Sequence, residues 1–363
     1  MSANHSIFEA PRIDPVPEGV QRPLWSVMIP TFNCAKHLRQ TLESVLAQDP
    51  GADQMQIEVV DDCSTQDDPE TVVREVGKGR VVFYRKPKNE GATANFNTCI
   101  RRSHGHLIHI LHGDDWVLPG FYQCIESSAS AHPETGLLAT RCFFADEEGN
   151  LTDVTPLMPL MTLPTQVVSG FYMRTPLQCA GVVVRRSCYE ECGGFRADLL
   201  HTADWEMWAR VVYLKGGIVR SQELACYRVF LANDSGRLMR IAENLRDRER
   251  LIKILASRHL DFPRQAAMQK LLIMAQEQEA RFEKLADHSA ASANRAYWND
   301  HASFGRRLLR GVGDFLKNAG HLISCNELAC DNPKGSSGNR VKKFGVAEKK
   351  DGSGIERFPR CEP

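Results

Sequence analysis

The stretch GHLIHILHGDD, residues 105–115, decides how the chain is to be read. Leu107, Ile108, Ile110 and Leu111 run almost uninterrupted into Gly113 and the adjacent carboxylates Asp114 and Asp115. A short apolar run that stops on Gly and Asp reads as a buried strand ending in a turn. Two neighbouring carboxylates repel each other. Their placement there points to a positive charge nearby, or to a separate hydrogen-bond donor for each. The same grammar occurs three times upstream. LWSVMIPTFN (24–33) stops at Pro30 and Asn33, MQIEVVDDCST (55–65) at Asp61 and Asp62, and RVVFYRK (80–86) just before KNEG (88–91).

Helical patterns separate these strands. AKHLRQTLESVLAQ (35–48) spaces Leu38, Leu42, Val45 and Leu46 at helical intervals, DPETVVREV (68–76) offers Asp68 as cap and Pro69 as first residue, and ATANFNTCIRRSH (92–104) follows KNEG. Strand and helix in alternation predict a parallel sheet with helices on its faces. Ligands of such sheets bind beyond the carboxyl ends of the strands. All four polar clusters fall at those ends, which predicts one polar rim.

The second half reads differently. Residues 133–190 mix short strands with loops, CAGVVVRRSCYEECGGF (179–195) is a strand leading into a short helix and a Gly turn, and HTADWEMWARVVYLKG (201–216) is a helix with Trp205, Trp208 and Val212 as its apolar stripe. GRLMRIAENLRDRERLIKILASRHL (236–260) predicts one long amphipathic helix with Leu238, Ile241, Leu245, Ile252 and Leu255 on one side; another follows Pro263. The division is an N-terminal tail (1–23), a main α/β domain (24–236, with one half at 24–120 and another at 121–236), a C-terminal helical region (237–324) and a disordered, polar tail (325–363).

Composition bounds the function. The 363 residues are 42% hydrophobic and 25% charged, enough for a large core, and a formal net charge of zero argues against a nucleic-acid partner. Charge is uneven: residues 303–363 carry 12 Lys+Arg against 7 Asp+Glu. Within them SFGRRLLRGVGDFLKNAGHLI (303–323) is a basic amphipathic stretch suited to peripheral contact with an anionic membrane surface. No run of 18 apolar residues predicts a membrane-spanning helix, and the N-terminus does not read as a signal peptide. The twelve cysteines read as reduced thiols, with Cys188 and Cys192 spaced as conceivable metal ligands but lacking a second pair. The expected location is cytoplasmic, at or near the inner face of the membrane.

A phosphate-bearing ligand needs its oxygens neutralised by a Gly-rich helix start or by a divalent cation on carboxylates. Neither G-x-x-x-x-G-K-[ST] nor a G-x-G-x-x-G after a strand is present, so the carboxylate solution remains. Asp114 and Asp115 are its candidates, and Asp62 is placed to accept from a base N–H or a ribose hydroxyl.

SVMIPTFN, VVDDCST, NEGATANFN, HILHGDDWVLPG and CGGFRADLLHTADWEMWARV, taken in order across about residues 24–212, make the chain resemble a family 2 glycosyltransferase. The resemblance implies an α/β protein of the GT-A fold: a Rossmann-like, mostly parallel central sheet flanked by helices, here with a C-terminal helical extension. It implies a nucleotide-sugar donor, usually UDP-linked, a divalent Mg²⁺ or Mn²⁺, and a glycan or lipid-linked acceptor. Pro30, Thr31 and Asn33 would lie beside the nucleobase, Asp62 would bind uracil or ribose, and Asn89, Gly91 and Asn97 would shape the nucleotide pocket. Asp114 and Asp115 match the aspartate motif for metal, diphosphate and ribose, and Asp204 matches the catalytic base. His201 and Trp205 would line the acceptor side, and the Gly193–Gly194 turn would approach the donor sugar.

Three departures qualify the resemblance. His112 stands where the family often has an Asp two residues before the pair, Phe230 stands near the position of a metal-binding His, and the Gln-x-x-Arg-Trp signature of processive synthases is absent. Addition of one sugar per encounter follows from the last. Two other readings share some of these features: a sugar nucleotidyltransferase, and a nucleotide-sugar-binding relative that has lost turnover.

Overall fold

The structure is a computed structural model. It describes residues 10–157, 161–162 (backbone only), 177–230, 233–258 and 262–302. The basic stretch at 303–323 and the tail at 325–363 lie outside the described residues, as do residues 1–9.

The first half follows the predicted alternation. Strands β1 (Trp25–Thr31), β2 (Met55–Asp61), β3 (Val82–Arg85) and β4 (Leu107–Ile110) alternate with helices α1 (Ala35–Leu46), α2 (Pro69–Gly77) and α3 (Ala92–Arg102). These strands are neighbours in the order β3-β2-β1-β4 and are parallel throughout. Every residue of β1 is buried, as expected of a strand covered on both faces. Alternation along it sorts the core: Val27 and Ile29 face a cluster with Leu38, Leu42 and Val45 of α1, while Met28 faces a second cluster with Cys99 and Ile100 of α3. Helix α2 starts as its sequence predicts. Asp68 accepts from the Thr71 N–H at 3.2 Å, with Pro69 in the first turn.

The second half turns the sheet mixed. Strands β5 (Trp116–Val117), β6 (Leu137–Ala145), β7 (Leu151–Val154), β8 (Met161–Thr162), β9 (Val182–Arg185) and β10 (Gly217–Arg228) complete it, with helices α4 (Phe121–Ala131), α5 (Arg186–Cys192) and α6 (Ala203–Lys215). The order continues β4-β9-β6-β10-β5. β9 is antiparallel to both its neighbours, while β6 and β10 pair in parallel. The sheet is thus parallel over β1–β4 and mixed beyond them.

Two expectations need revision. The long helix at 236–260 is two helices, α7 (Asp234–Arg240) and α8 (Glu243–Arg258), broken at Ala242, whose φ is +55°. Ile241 consequently lies on the surface rather than in the apolar stripe. The segment at 10–14 is not a loose tail: Ile13 is buried, Pro11 O accepts from Gly194 N, and Asp14 O accepts from Arg186. Helices α9 (Arg264–Lys284) and α10 (His288–His301) follow. Leu245, Ile252, Leu255, Leu271 and Trp298 of this helical region share one hydrophobic core with Phe195, Trp208 and Val212. Among the described residues no helix is long and apolar enough to cross a membrane.

Candidate functional site

Parallel pairing of β2, β1 and β4 sets their carboxyl ends side by side, and the pairing continues past the strands. Asp62 N donates to Thr31 O at 2.9 Å and Gly113 N to Pro30 O at 3.1 Å. Gly113 is required there: a Cβ would come within 2.8 Å of Cys34 Sγ and 2.9 Å of Thr31 Oγ1. Thr41 Oγ1, from α1, donates to both Gly113 O and Asp115 O, which fixes the aspartate turn on the helix. Asn33, at φ +49°, accepts from Thr65 N and Gln66 N through Oδ1, joining the first two rim loops. Phe32 between Thr31 and Asn33 is exposed, a flat apolar face on the rim that pattern reading passed over.

Several rim residues are committed to the protein itself. Asp62 is buried and accepts from Lys86 Nζ (2.6 Å), Glu90 N and Gly91 N, so its carboxylate braces the 86–91 loop. Asn97 exchanges two 2.8 Å hydrogen bonds with the Phe195 backbone. Gly194 lies against Asn97, where a Cβ would fall 2.2 Å from Oδ1, and a Cβ on Gly193 would meet Pro11 O at 2.9 Å. These glycines serve close packing. Asn89 and Gly91 are exposed on the rim loop.

The aspartate turn carries unmet polar atoms. Asp115 Oδ1 accepts from Arg228 N at 2.9 Å, whereas Asp115 Oδ2 is buried without a hydrogen-bond partner. Burial, and then the charge of Asp114, push the Asp115 carboxyl well above its ordinary range. His112 Nδ1 stands 3.6 Å from Asp115 Oδ2, and its ring stacks on Phe96 at 5.1 Å and 10°. His112 Nε2 is also buried and unpartnered, and burial lowers the ring's pKa, favouring neutral imidazole. One ligand atom each from His112, Asp114 and Asp115 lie within 4.8 Å of one another. An orphaned carboxylate oxygen costs free energy that a cation would offset. Two carboxylates and a neutral imidazole are donors that suit a divalent ion, Mn²⁺ more than Mg²⁺. Among the described residues this is the one such group; Cys188 and Cys192 are free thiols outside it.

Arg228, at the end of β10, ties the turn in place. Its Nε donates to Asp114 O, its Nη atoms reach Asp146 O, Glu147 O and Gln40 Oε1, and its guanidinium lies 4.8 Å from the Trp116 ring centre. Phe230 packs against the His37 ring at 5.5 Å.

Asp204 sits in the first turn of α6, partly buried, with Oδ1 accepting from Trp205 N at 2.9 Å. Burial raises its carboxyl pKa to about 7. The preceding loop is held from outside the strand-helix core by Asp247 of α8, which accepts from the N–H groups of Leu200, His201 and Thr202 and from Thr202 Oγ1. Arg248, the next residue, lies 4.1 Å from the Trp205 ring centre. The His201 ring is 6.4 Å from that of Trp205, and burial lowers its pKa to about 4. Glu206 turns away into the protein, bonded to Arg210 and Arg258. The aspartate turn and Asp204 act electrostatically on the same buried groups. The Tyr227 hydroxyl is raised first by burial and then by Asp115, Asp114 and Asp204, and the Cys179 thiol by burial, Asp204 and Asp115.

Asp247 and Arg248 were not singled out from sequence, although a signal was present. Arg248 falls at helical spacing between Leu245 and Ile252, so a charge occupies a position of the apolar stripe.

Parts of the chain are similar to known proteins. Residues 26–190 match the family model described as Glycosyl transferase family 2. The chain is 28% identical over 244 residues to Uncharacterized protein MT1568 of Mycobacterium tuberculosis (strain CDC 1551 / Oshkosh), covering 64% of this chain and 75% of that one. It is 28% identical over 129 residues to Chondroitin synthase of Escherichia coli, covering 36% of this chain but only 18% of the synthase. Among solved structures, the mannosyltransferase PcManGT from Pyrobaculum calidifontis in complex with GDP-Man and Mn²⁺ is similar at a TM-score of 0.48 and 18% identity, covering 84% of this chain and 83% of that one. Over residues 26–190 the chain is thus similar to the family 2 glycosyltransferases.

Proposed function

We propose that the protein transfers one sugar, with inversion, from a nucleotide-sugar to a hydroxyl of a growing cell-surface glycan, with Asp204 as general base. The observation that carries this is that Asp114 and Asp115 at the strand rim and Asp204, with a pKa of about 7, all bear on the Tyr227 hydroxyl. An acceptor hydroxyl is a poor nucleophile at neutral pH. A carboxylate whose pKa matches the working pH accepts its proton efficiently as the new bond forms. The donor's base lies at the Pro30–Asn33 end of the rim, where Phe32 offers a stacking face. Its diphosphate lies across Asp114 and Asp115. His112, Asp114 and Asp115 would hold a divalent ion, which would supply charge neutralisation for the leaving diphosphate. Asp62 contributes through the loop it braces, and Asn97 through its hold on Phe195.

The donor is expected to be UDP-linked. Calorimetric titration of UDP, GDP, CDP and dTDP, with and without Mn²⁺, tests this. One nucleotide binding only with metal supports the reading, and none binding refutes it. Donor turnover with added acceptor separates a transferase from a binding relative.

A further inference from the structure

We propose that Arg248, with His201 and Trp205, forms an oxyanion-binding subsite beside Asp204, so that the acceptor carries a phosphoryl or carboxylate group close to its reacting hydroxyl. The inference rests on Asp204 being the base of the proposed transfer.

Arg248 is a cation without a counter-ion in contact. Its Nε is buried and unpartnered, and its Nη1 meets only the thioether of Met274 at 3.5 Å. Among the described residues no carboxylate lies within ion-pair distance of it. The nearby Asp247 carboxylate is already engaged by the 200–202 loop, and Asp204 acts on Arg248 through space only. Other arginines around α6 are satisfied: Arg210 and Arg258 both bond Glu206. A buried Nε without a partner, and an Nη1 that meets only a thioether, leave guanidinium donors that an arriving anion would satisfy. Its planar fork matches phosphate and carboxylate, and stacking on Trp205 fixes the plane of that fork. His201 Nδ1 is a second buried atom without a partner in the same cluster.

Position separates this subsite from the donor's diphosphate. Arg248 lies against the ring of Trp205, the residue after Asp204, whereas the aspartate turn is held by Arg228. Arg248 therefore stands on the side of the base.

The test uses the full chain and two hydroxyl-bearing anions, sn-glycerol 3-phosphate and D-glucuronate, with glycerol as the neutral control. Titrations compare wild type with Arg248→Met, which removes the charge at similar volume, and Arg248→Lys, which keeps charge without the fork. UDP and GDP with Mn²⁺ are titrated in parallel. At least one anion, and not glycerol, should bind wild type and weaken about tenfold or more in Arg248→Met, with partial recovery in Arg248→Lys. Nucleoside diphosphate binding should stay within about twofold, which also shows that the variants are folded. Anion binding that is absent from wild type, or equal in Arg248→Met, overturns the proposal. So does a loss confined to the nucleoside diphosphate, which would assign the guanidinium to the leaving group. An Asp204→Asn variant that still transfers sugar would instead refute the base assignment, with Arg248-dependent anion binding intact.

Discussion

Replacing Asp204 by Asn should make the protein more stable and nearly inactive at once. The Asp204 carboxyl has a pKa of about 7 in the folded protein against an ordinary value of 3.8. Because the folded chain holds this proton more tightly than the unfolded chain, the group favours folding at low pH. Its contribution is complete below about pH 4, declines as pH rises and is gone above about pH 7. The gap corresponds to about 4 kcal/mol of burial cost carried by the ionised group at pH 8. Asparagine keeps an oxygen to accept from Trp205 N, which the native Oδ1 does at 2.9 Å, and carries no charge. Urea unfolding at pH 5, 6, 7 and 8 should therefore show the variant gaining on wild type as pH rises, by up to about 4 kcal/mol at pH 8. Transfer by the variant should fall about 10²- to 10⁴-fold with donor binding unchanged. In wild type the rate should rise through about pH 7 and be about tenfold below its plateau at pH 6. A variant less stable than wild type at pH 8, or a stability difference flat with pH, would refute the reasoning. Either would mean that the carboxylate ionises at little cost.

Asp114→Ala or Asp115→Ala should weaken Mn²⁺-dependent nucleoside diphosphate binding about tenfold or more, and a chelator should do the same to wild type; calorimetry reads both. Asp247→Ala leaves three backbone N–H groups and the Thr202 hydroxyl without their acceptor. It should cost about 3 kcal/mol and raise amide exchange at residues 200–202, with no effect on nucleotide binding. Asp62→Ala strands the buried Lys86 ammonium, which keeps only Glu90, and should cost about 3–5 kcal/mol in thermal or urea unfolding. Gly194→Ala drives a methyl to within 2.2 Å of Asn97 Oδ1 and should destabilise by about 1–3 kcal/mol.

The first half of the fold was legible because its signals are local. Apolar runs ending in Asn33, Asp62, Gly91 and Asp114 state both the strand and the end at which polar groups collect. The second half depends on contacts far apart in the chain. Nothing near β9 announces that it will lie antiparallel between β4 and β6. The break at Ala242 lacks the Gly or Pro that would have marked it; a residue in the left-handed region interrupts a pattern otherwise compatible with one helix. The site shows the same division. Motif positions found the acidic residues, but motif identity did not tell an open carboxylate from a committed one. Asp62 has both oxygens bonded within the protein, while Asp115 leaves one without a partner. That difference is set by Lys86, just past β3, and by Arg228, at the end of β10.

The hold of Asp247 on residues 200–202 bears on how the chain can be dissected and recombined. The segment matching the family model ends at residue 190, short of Asp204, and α8 lies further on still. A chain trimmed to the shared segment would lose Asp204, the proposed base. One trimmed before α8 would keep it, but after a loop whose N–H groups are unanchored. A chimera that exchanges the last helices between relatives would carry that loop's anchor and the neighbouring guanidinium with them, in a single inheritable block.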